Sequence, residues 1–211
     1  MNLPNSLTIA RIFLVPLLVS VLLTKFEGRL VMGLPVEVVA AAIFGLASLT
    51  DWLDGYLARR RQQVTWLGQI LDPLADKLLI SATLVSIVQL DLAPAWMVAV
   101  IIGREFAVTG LRSIAYARGV AMPASNLGKL KMVSQVVAIL LLILGWERMP
   151  MLLLMGQAAL WVVLATSLLS AVDYFRRFNY TMSLSPNVTD INEVRAARRT
   201  EYAARDERKV M

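Results

Sequence analysis

The 24 residues at 149–172 carry no charge, and that run limits the architecture more than any other feature of the chain. A helix rises about 1.5 Å per residue, so about 20 apolar residues suffice to cross a hydrocarbon core roughly 30 Å thick. The run belongs to a chain of 211 residues that is 58% hydrophobic, with a mean hydropathy of +0.65. That apolar share exceeds the usual value for soluble domains and predicts an integral membrane protein.

Six apolar segments stand out, near residues 7–24, 36–59, 67–90, 92–115, 131–146 and 149–175. They predict an all-α bundle of six transmembrane helices. Short connectors with Gly28, Gly33 and Pro35, then Asp91 and Pro94, then Glu147 and Pro150 mark three turns on one side. Arg59, Arg60, Arg61, Arg118, Lys129, Arg176 and Arg177 gather on the other side, against Lys25, Arg29 and Arg148. The positive-inside rule then puts both termini in the cytoplasm of a multi-pass protein of the cell (inner) membrane. The formal charge of +6 is accounted for by these flanks and the tail, without nucleic acid as a partner. Residues 1–178 form the membrane domain, and 179–211 read as a charged cytoplasmic tail that is solvated or touches anionic lipid.

Four aspartates lie inside the second and third segments, where an unpaired carboxylate is costly and usually marks function. Asp51 and Asp54 are three apart, and Asp72 and Asp76 are four apart, so each pair shares a helix face. Depth counting places the pairs at one level. Asp51 lies 15 residues after Val36 and Asp76 lies 15 before Asp91, while Asp54 and Asp72 lie 18 and 19 residues in. The same count puts Arg112 at 18 residues beyond Pro94 and Lys131 at 15 before Trp146. Four carboxylates in one layer would repel one another unless divalent cations neutralised them. With no histidine and no cysteine in the chain, any metal must sit on oxygen, which suits Mg²⁺, Mn²⁺ or Ca²⁺. The reading is a polar metal site for two ions, in a cavity on the cytoplasmic side of the bundle.

Asp51, Asp54, Gly55, Ala58, Arg59, Gly68, Asp72 and Asp76 match the pattern DxxDGxxARx8GxxxDxxxD at every fixed position. In this the chain resembles the CDP-alcohol phosphatidyltransferases. Eight specified residues over 26 positions make a far more selective signature than a lone glycine motif. The stretches NLPNSLTIAR from Asn2, REFAVTGLR from Arg104 and GKLKMVSQ from Gly128 look like the branch of that family that makes phosphatidylglycerol phosphate. Met132 departs from it, at a position where that branch commonly has threonine.

The resemblance implies a reaction between CDP-diacylglycerol and glycerol 3-phosphate that releases CMP, with Mg²⁺ or Mn²⁺ as cofactor. Asp51, Asp54, Asp72 and Asp76 would hold the metals, and Asp76 would also take the proton of the acceptor hydroxyl. Asn5, Thr8, Asp51, Gly55, Arg59 and Gly68 would bind CDP-diacylglycerol. Arg104, Arg112, Lys129 and Lys131 would hold the acceptor phosphate. A homodimer embedded in membrane lipids is implied as well. The lack of a cysteine or histidine nucleophile favours one in-line displacement with inversion at phosphorus.

Plainer readings exist for several of these residues. Asp72 before Pro73 also reads as a helix cap, with Pro73 at the first helical position or at a kink. Arg60 and Arg61 are topogenic charges, and Lys129 and Lys131 also read as anchors with snorkelling stems. Arg104 and Glu105 read as an ion pair, and Asn5 and Thr8 as helix-start residues. The rival functions are the same transfer to inositol phosphate, serine or phosphatidylglycerol, and a divalent cation transporter. Transport alone would require neither Arg59 nor the fixed ARx8G interval.

Overall fold

A computed structural model describes the backbone of residues 3–24, 30–31, 33–61, 66–118, 126–147 and 149–184, and the side chains of 8–24, 30–31, 33–50, 71, 73–118, 128, 130–147 and 149–180. Within these residues the chain forms six helices: α1 (Leu3–Leu23), α2 (Val36–Arg61), α3 (Trp66–Gln89), α4 (Ala95–Ala117), α5 (Asn126–Leu144) and α6 (Pro150–Leu184). Each corresponds to one apolar segment of the sequence. A small antiparallel ribbon joins α1 to α2, pairing Leu30 with Pro35 and Val31 with Leu34. Gly33 supplies the φ of +80° at its turn, a conformation that glycine adopts without steric cost.

Among the described residues, only α6, over Pro150–Tyr180, is by itself long and apolar enough to cross a membrane, with a mean hydropathy of 2.0. Shorter apolar stretches occupy Thr8–Leu23, Val36–Thr50 and Leu130–Leu144. α4 carries Arg104, Glu105 and Arg112 within its length. The outer surface is apolar nonetheless, with Phe13, Val133, Leu154, Trp161, Leu169 and Val172 exposed. The main core is a contiguous cluster that includes Leu18, Phe44, Leu79, Ile87, Ile101, Ile139, Leu142 and Val163, and a smaller cluster gathers Val108, Ala115 and Tyr174. Thr83 and Ser86, buried in α3, donate their hydroxyls to the carbonyls of Leu79 and Ala82 at 2.7 and 2.9 Å. These bonds satisfy polar groups that the apolar interior could not.

Two local devices position the site. At the end of α3 the Leu92 N–H donates to Ile87 O at 3.1 Å and the Asp91 N–H to Val88 O at 3.0 Å. This is the bonding of a Schellman motif, with Asp91 at φ +58° in the place usually taken by glycine. Leu92 and Ile87 both join the core, and Pro94 then starts α4 as its N-cap. The chain is thereby reversed within a few residues, so α3 and α4 run side by side.

The second device is the close approach of α5 and α6. A Cβ on Gly156 would stand 2.8 Å from the backbone nitrogen of Leu142, and one on Gly145 would overlap the backbone of Leu153. Small residues let two membrane helices meet at backbone distance. Gly156→Val is therefore expected to lower stability by about 1–3 kcal/mol through overpacking, because the gain in helix propensity stays below about 1 kcal/mol. Thermal unfolding in detergent checks this, and an unchanged melting temperature would contradict the close packing.

One sequence expectation is corrected. Asp72 does not cap a helix start, because α3 begins at Trp66 and continues unbroken through Pro73. The helical backbone of α6 is described from Pro150 to Leu184.

Candidate active site

α3, α4, α5 and α6 enclose a cavity of about 260 Å³. α3 contributes Pro73, Asp76 and Lys77; α4 contributes Arg104, Glu105, Thr109 and Arg112. Lys131 and Gln135 come from α5, and Tyr174 from α6. Four cationic side chains and two carboxylates thus face one space, a formal excess of two positive charges among the described residues. Such an excess, in surroundings of low polarity, favours a dianion such as a phosphate monoester.

The cations are held in different ways. Arg104 is largely committed to protein: its Nε donates to Ser167 O at 3.1 Å, its Nη2 to Ser170 Oγ at 2.6 Å and its Nη1 to Glu105 Oε2 at 3.2 Å. Ser167 and Ser170 lie three apart on α6 and are buried, so a small-residue face receives the guanidinium and ties α4 to α6. Lys131, 4% exposed, forms a short ion pair with the same Glu105 Oε2. It lies within electrostatic range of Glu105, Arg104 and Asp76.

Arg112 sits farther along α4. Its Nη2 donates to Tyr174 OH at 2.7 Å, and its guanidinium carbon lies 5.4 Å from the Tyr174 ring centroid. A cation over an aromatic ring is stabilised by about 0.5–2 kcal/mol. The contact holds the side chain in place while its buried Nε has no hydrogen-bond partner among the described residues. Arg112 therefore combines a fixed position with an unused donor, as an anion-binding arginine requires.

Of the residues singled out in the sequence, the structure brings Asp76, Arg104, Arg112 and Lys131 to this cavity. Thr8 is buried in α1 and lies outside the cavity wall. The side chains of Asn5, Asp51, Asp54, Gly55, Arg59, Gly68, Asp72 and Lys129 lie outside the described residues. The helical backbone of α2 runs through Asp51 and Asp54, and that of α3 through Asp72 and Asp76. Since Asp76 is the one aspartate of the four whose side chain is described, no group of three acidic side chains is found among the described residues.

Sequence reasoning missed Tyr174 and Gln135, and treated Glu105 only as an ion-pair partner. Gln135 had a usable signal, its position four residues after Lys131 on the same helix face. Tyr174 had none, because nothing in the sequence tells which helix packs beside Arg112. Arg11 was also passed over. It is the largest of the fully buried side chains, on the helix that packs against both aspartate-bearing helices.

Comparison with known proteins bears on what such a site belongs to. The family model described as CDP-alcohol phosphatidyltransferase matches residues 1–169. The chain belongs to the CDP-alcohol phosphatidyltransferase family. This phosphatidyltransferase is 48% identical over 184 residues to the CDP-diacylglycerol--glycerol-3-phosphate 3-phosphatidyltransferase of Bacillus subtilis (strain 168), a match covering 83% of this chain and 94% of that protein. It is 41% identical over 179 residues to a probable phosphatidylglycerophosphate synthase of Mycobacterium tuberculosis, covering 83% of this chain and 81% of the relative. A cardiolipin synthase (CMP-forming) of Oryza sativa subsp. japonica is 34% identical over 195 residues, covering 84% of this phosphatidyltransferase and 57% of the plant protein.

Proposed function

We propose that the protein transfers the phosphatidyl group of CDP-diacylglycerol to the primary hydroxyl of glycerol 3-phosphate, forming phosphatidylglycerol phosphate and CMP. The observation that carries this reading is the meeting of Asp76 with Arg112 and Lys131 around one cavity, in a chain whose Asp76 closes the eight-position aspartate motif. The acceptor phosphate binds to Arg112 and Lys131. Asp76 accepts the proton of the attacking hydroxyl; the new oxygen–phosphorus bond forms as the bond to CMP breaks, with inversion at phosphorus. The names of the Bacillus subtilis and Mycobacterium tuberculosis relatives support this acceptor.

The donor chemistry fits a hard divalent cation, since Asp76 offers a carboxylate on the cavity wall and the motif adds three more acidic positions on α2 and α3. Asp51, Asp54, Asp72 and Asp76 would hold two ions of Mg²⁺ or Mn²⁺. When bound, such ions neutralise charge on the diphosphate and on departing CMP. Arg59, Asn5, Thr8, Gly55 and Gly68 form the nucleotide side of the site, and Lys129 and Arg104 support the acceptor side. All six helices cross the membrane, with both termini cytoplasmic, and the enzyme acts as a homodimer. This placement leaves the acyl chains in lipid while the diphosphate meets water-borne metal and acceptor.

The test uses the purified full chain in liposomes with labelled CDP-diacylglycerol and Mg²⁺. Glycerol 3-phosphate, inositol phosphate, serine and phosphatidylglycerol are each offered as acceptor. CMP release and phosphatidylglycerol phosphate formation are expected with glycerol 3-phosphate, to stop on chelation and to return with Mg²⁺ or Mn²⁺. Faster release with serine or phosphatidylglycerol would reassign the acceptor. Turnover persisting in chelator would remove the metal role, and cation flux across sealed vesicles without CMP release would favour a transporter.

A further inference from the structure

Two polar side chains on the cavity wall are used neither by the proton transfer nor as phosphate-binding cations. Glu105 meets Arg104 and Lys131 through Oε2 alone. Its Oε1 has no hydrogen-bond partner among the described residues, although the side chain is 29% exposed and lines the cavity. Gln135 is 3% exposed, lines the same cavity and has no side-chain hydrogen bond among the described residues. Both flank one ammonium. Glu105 pairs with Lys131 directly, and Gln135 follows Lys131 by one turn of α5 on the same face.

Polar groups left unbonded inside an apolar bundle are costly, and native structures rarely leave them so. A carboxylate in a pocket for a dianion also opposes the ligand unless it meets some other part of it. The chemistry of the two groups is complementary: a carboxylate oxygen only accepts, and a primary amide can donate. Together they satisfy one hydroxyl, which does both. A phosphorylated diol bound through its phosphate and attacking through its primary hydroxyl has one such hydroxyl left over.

Resting on the acceptor reading above, we infer that Glu105 and Gln135 form a subsite for the acceptor hydroxyl that is not transferred, and so determine specificity for phosphorylated diols. The secondary hydroxyl donates to Glu105 Oε1 and accepts from the Gln135 amide, while Glu105 Oε2 keeps Arg104 and Lys131 oriented. The subsite selects against phosphorylated alcohols that have a primary hydroxyl and no neighbour to it. A site that hydrogen-bonds a substrate hydroxyl rejects the analogue lacking it, because its own polar groups are then left unpaired.

The full-length protein in liposomes with CDP-diacylglycerol and Mg²⁺ is given either glycerol 3-phosphate or 3-hydroxypropyl phosphate, which lacks only the secondary hydroxyl. CMP release yields kcat/KM for each. Their ratio, taken on one preparation, does not depend on the fraction of protein that is folded, so a purely structural defect leaves it unmoved. The wild-type protein is expected to favour glycerol 3-phosphate by about 10- to 100-fold, the range of a charge-assisted hydrogen bond. Gln135→Leu and Glu105→Gln are each expected to reduce that preference by about tenfold. A wild-type ratio near unity would overturn the subsite, and an unchanged ratio in either variant would remove that residue from it. CMP release with serine and with neither phosphorylated alcohol would instead sink the acceptor reading, and this inference with it.

Discussion

Asp76→Asn protein releases CMP at least about 10³-fold more slowly than wild type at saturating substrates, within the range supplied by a positioned general base. The substitution nearly preserves shape, removes the charge and the basicity, and replaces one acceptor oxygen with an amide donor. Asp76 is the acidic group that α3 brings to the cavity alongside Arg112 and Lys131, and the chain contains no histidine or cysteine to substitute for it. Loss of a metal ligand would add to the effect. Binding of CDP-diacylglycerol, measured at equilibrium, is expected to survive in part, since the other motif residues remain. Turnover within about tenfold of wild type would show that another group takes the proton.

Lys131→Ala raises the KM for glycerol 3-phosphate by about 10- to 100-fold, the value of a charge-assisted hydrogen bond to phosphate, with little change in the KM for CDP-diacylglycerol. The separation of the two constants is the informative readout. A lysine that only anchors a helix end with its snorkelling stem would leave the acceptor KM unmoved. The structure argues against that role, since Lys131 is buried and its ammonium pairs with Glu105 inside the cavity. Removing it leaves Glu105 with Arg104 alone, at 3.2 Å, so the variant cavity also loses part of its positive excess and attracts the phosphate less. Equal acceptor KM values for variant and wild type would move the phosphate site elsewhere.

The helices and their order were legible because each apolar segment is bounded by turn residues or charges that the bilayer excludes. Depth was legible too. Counting from the outer turns set Asp76, Arg112 and Lys131 at one level, and the structure has all three on one cavity wall. Which side chains would touch was not legible. Arg104 lies eight residues before Arg112, two turns higher on α4, yet reaches the same cavity because its long side chain bends toward Ser167 and Ser170. That contact depends on α4 and α6 lying side by side, which helical periodicity does not specify. The sharing of Glu105 Oε2 by two cations is a matter of rotamer choice, settled only once both helices are in place. The ribbon between α1 and α2 escaped notice because strands of two residues leave no periodic signal.

The pairing of Lys131 with Glu105 bears on how the protein lives among its own lipids. Most phospholipid headgroups around it offer a phosphodiester with one negative charge, at a concentration no soluble metabolite approaches. A pocket of bare cations at membrane depth would fill with these bystanders. Because the ammonium already has an internal counter-ion, a singly charged headgroup gains little by displacing it, whereas a doubly charged phosphomonoester gains more. On the acceptor reading proposed above, the acidic residue would act as a threshold, keeping the pocket clear of the solvent it is dissolved in.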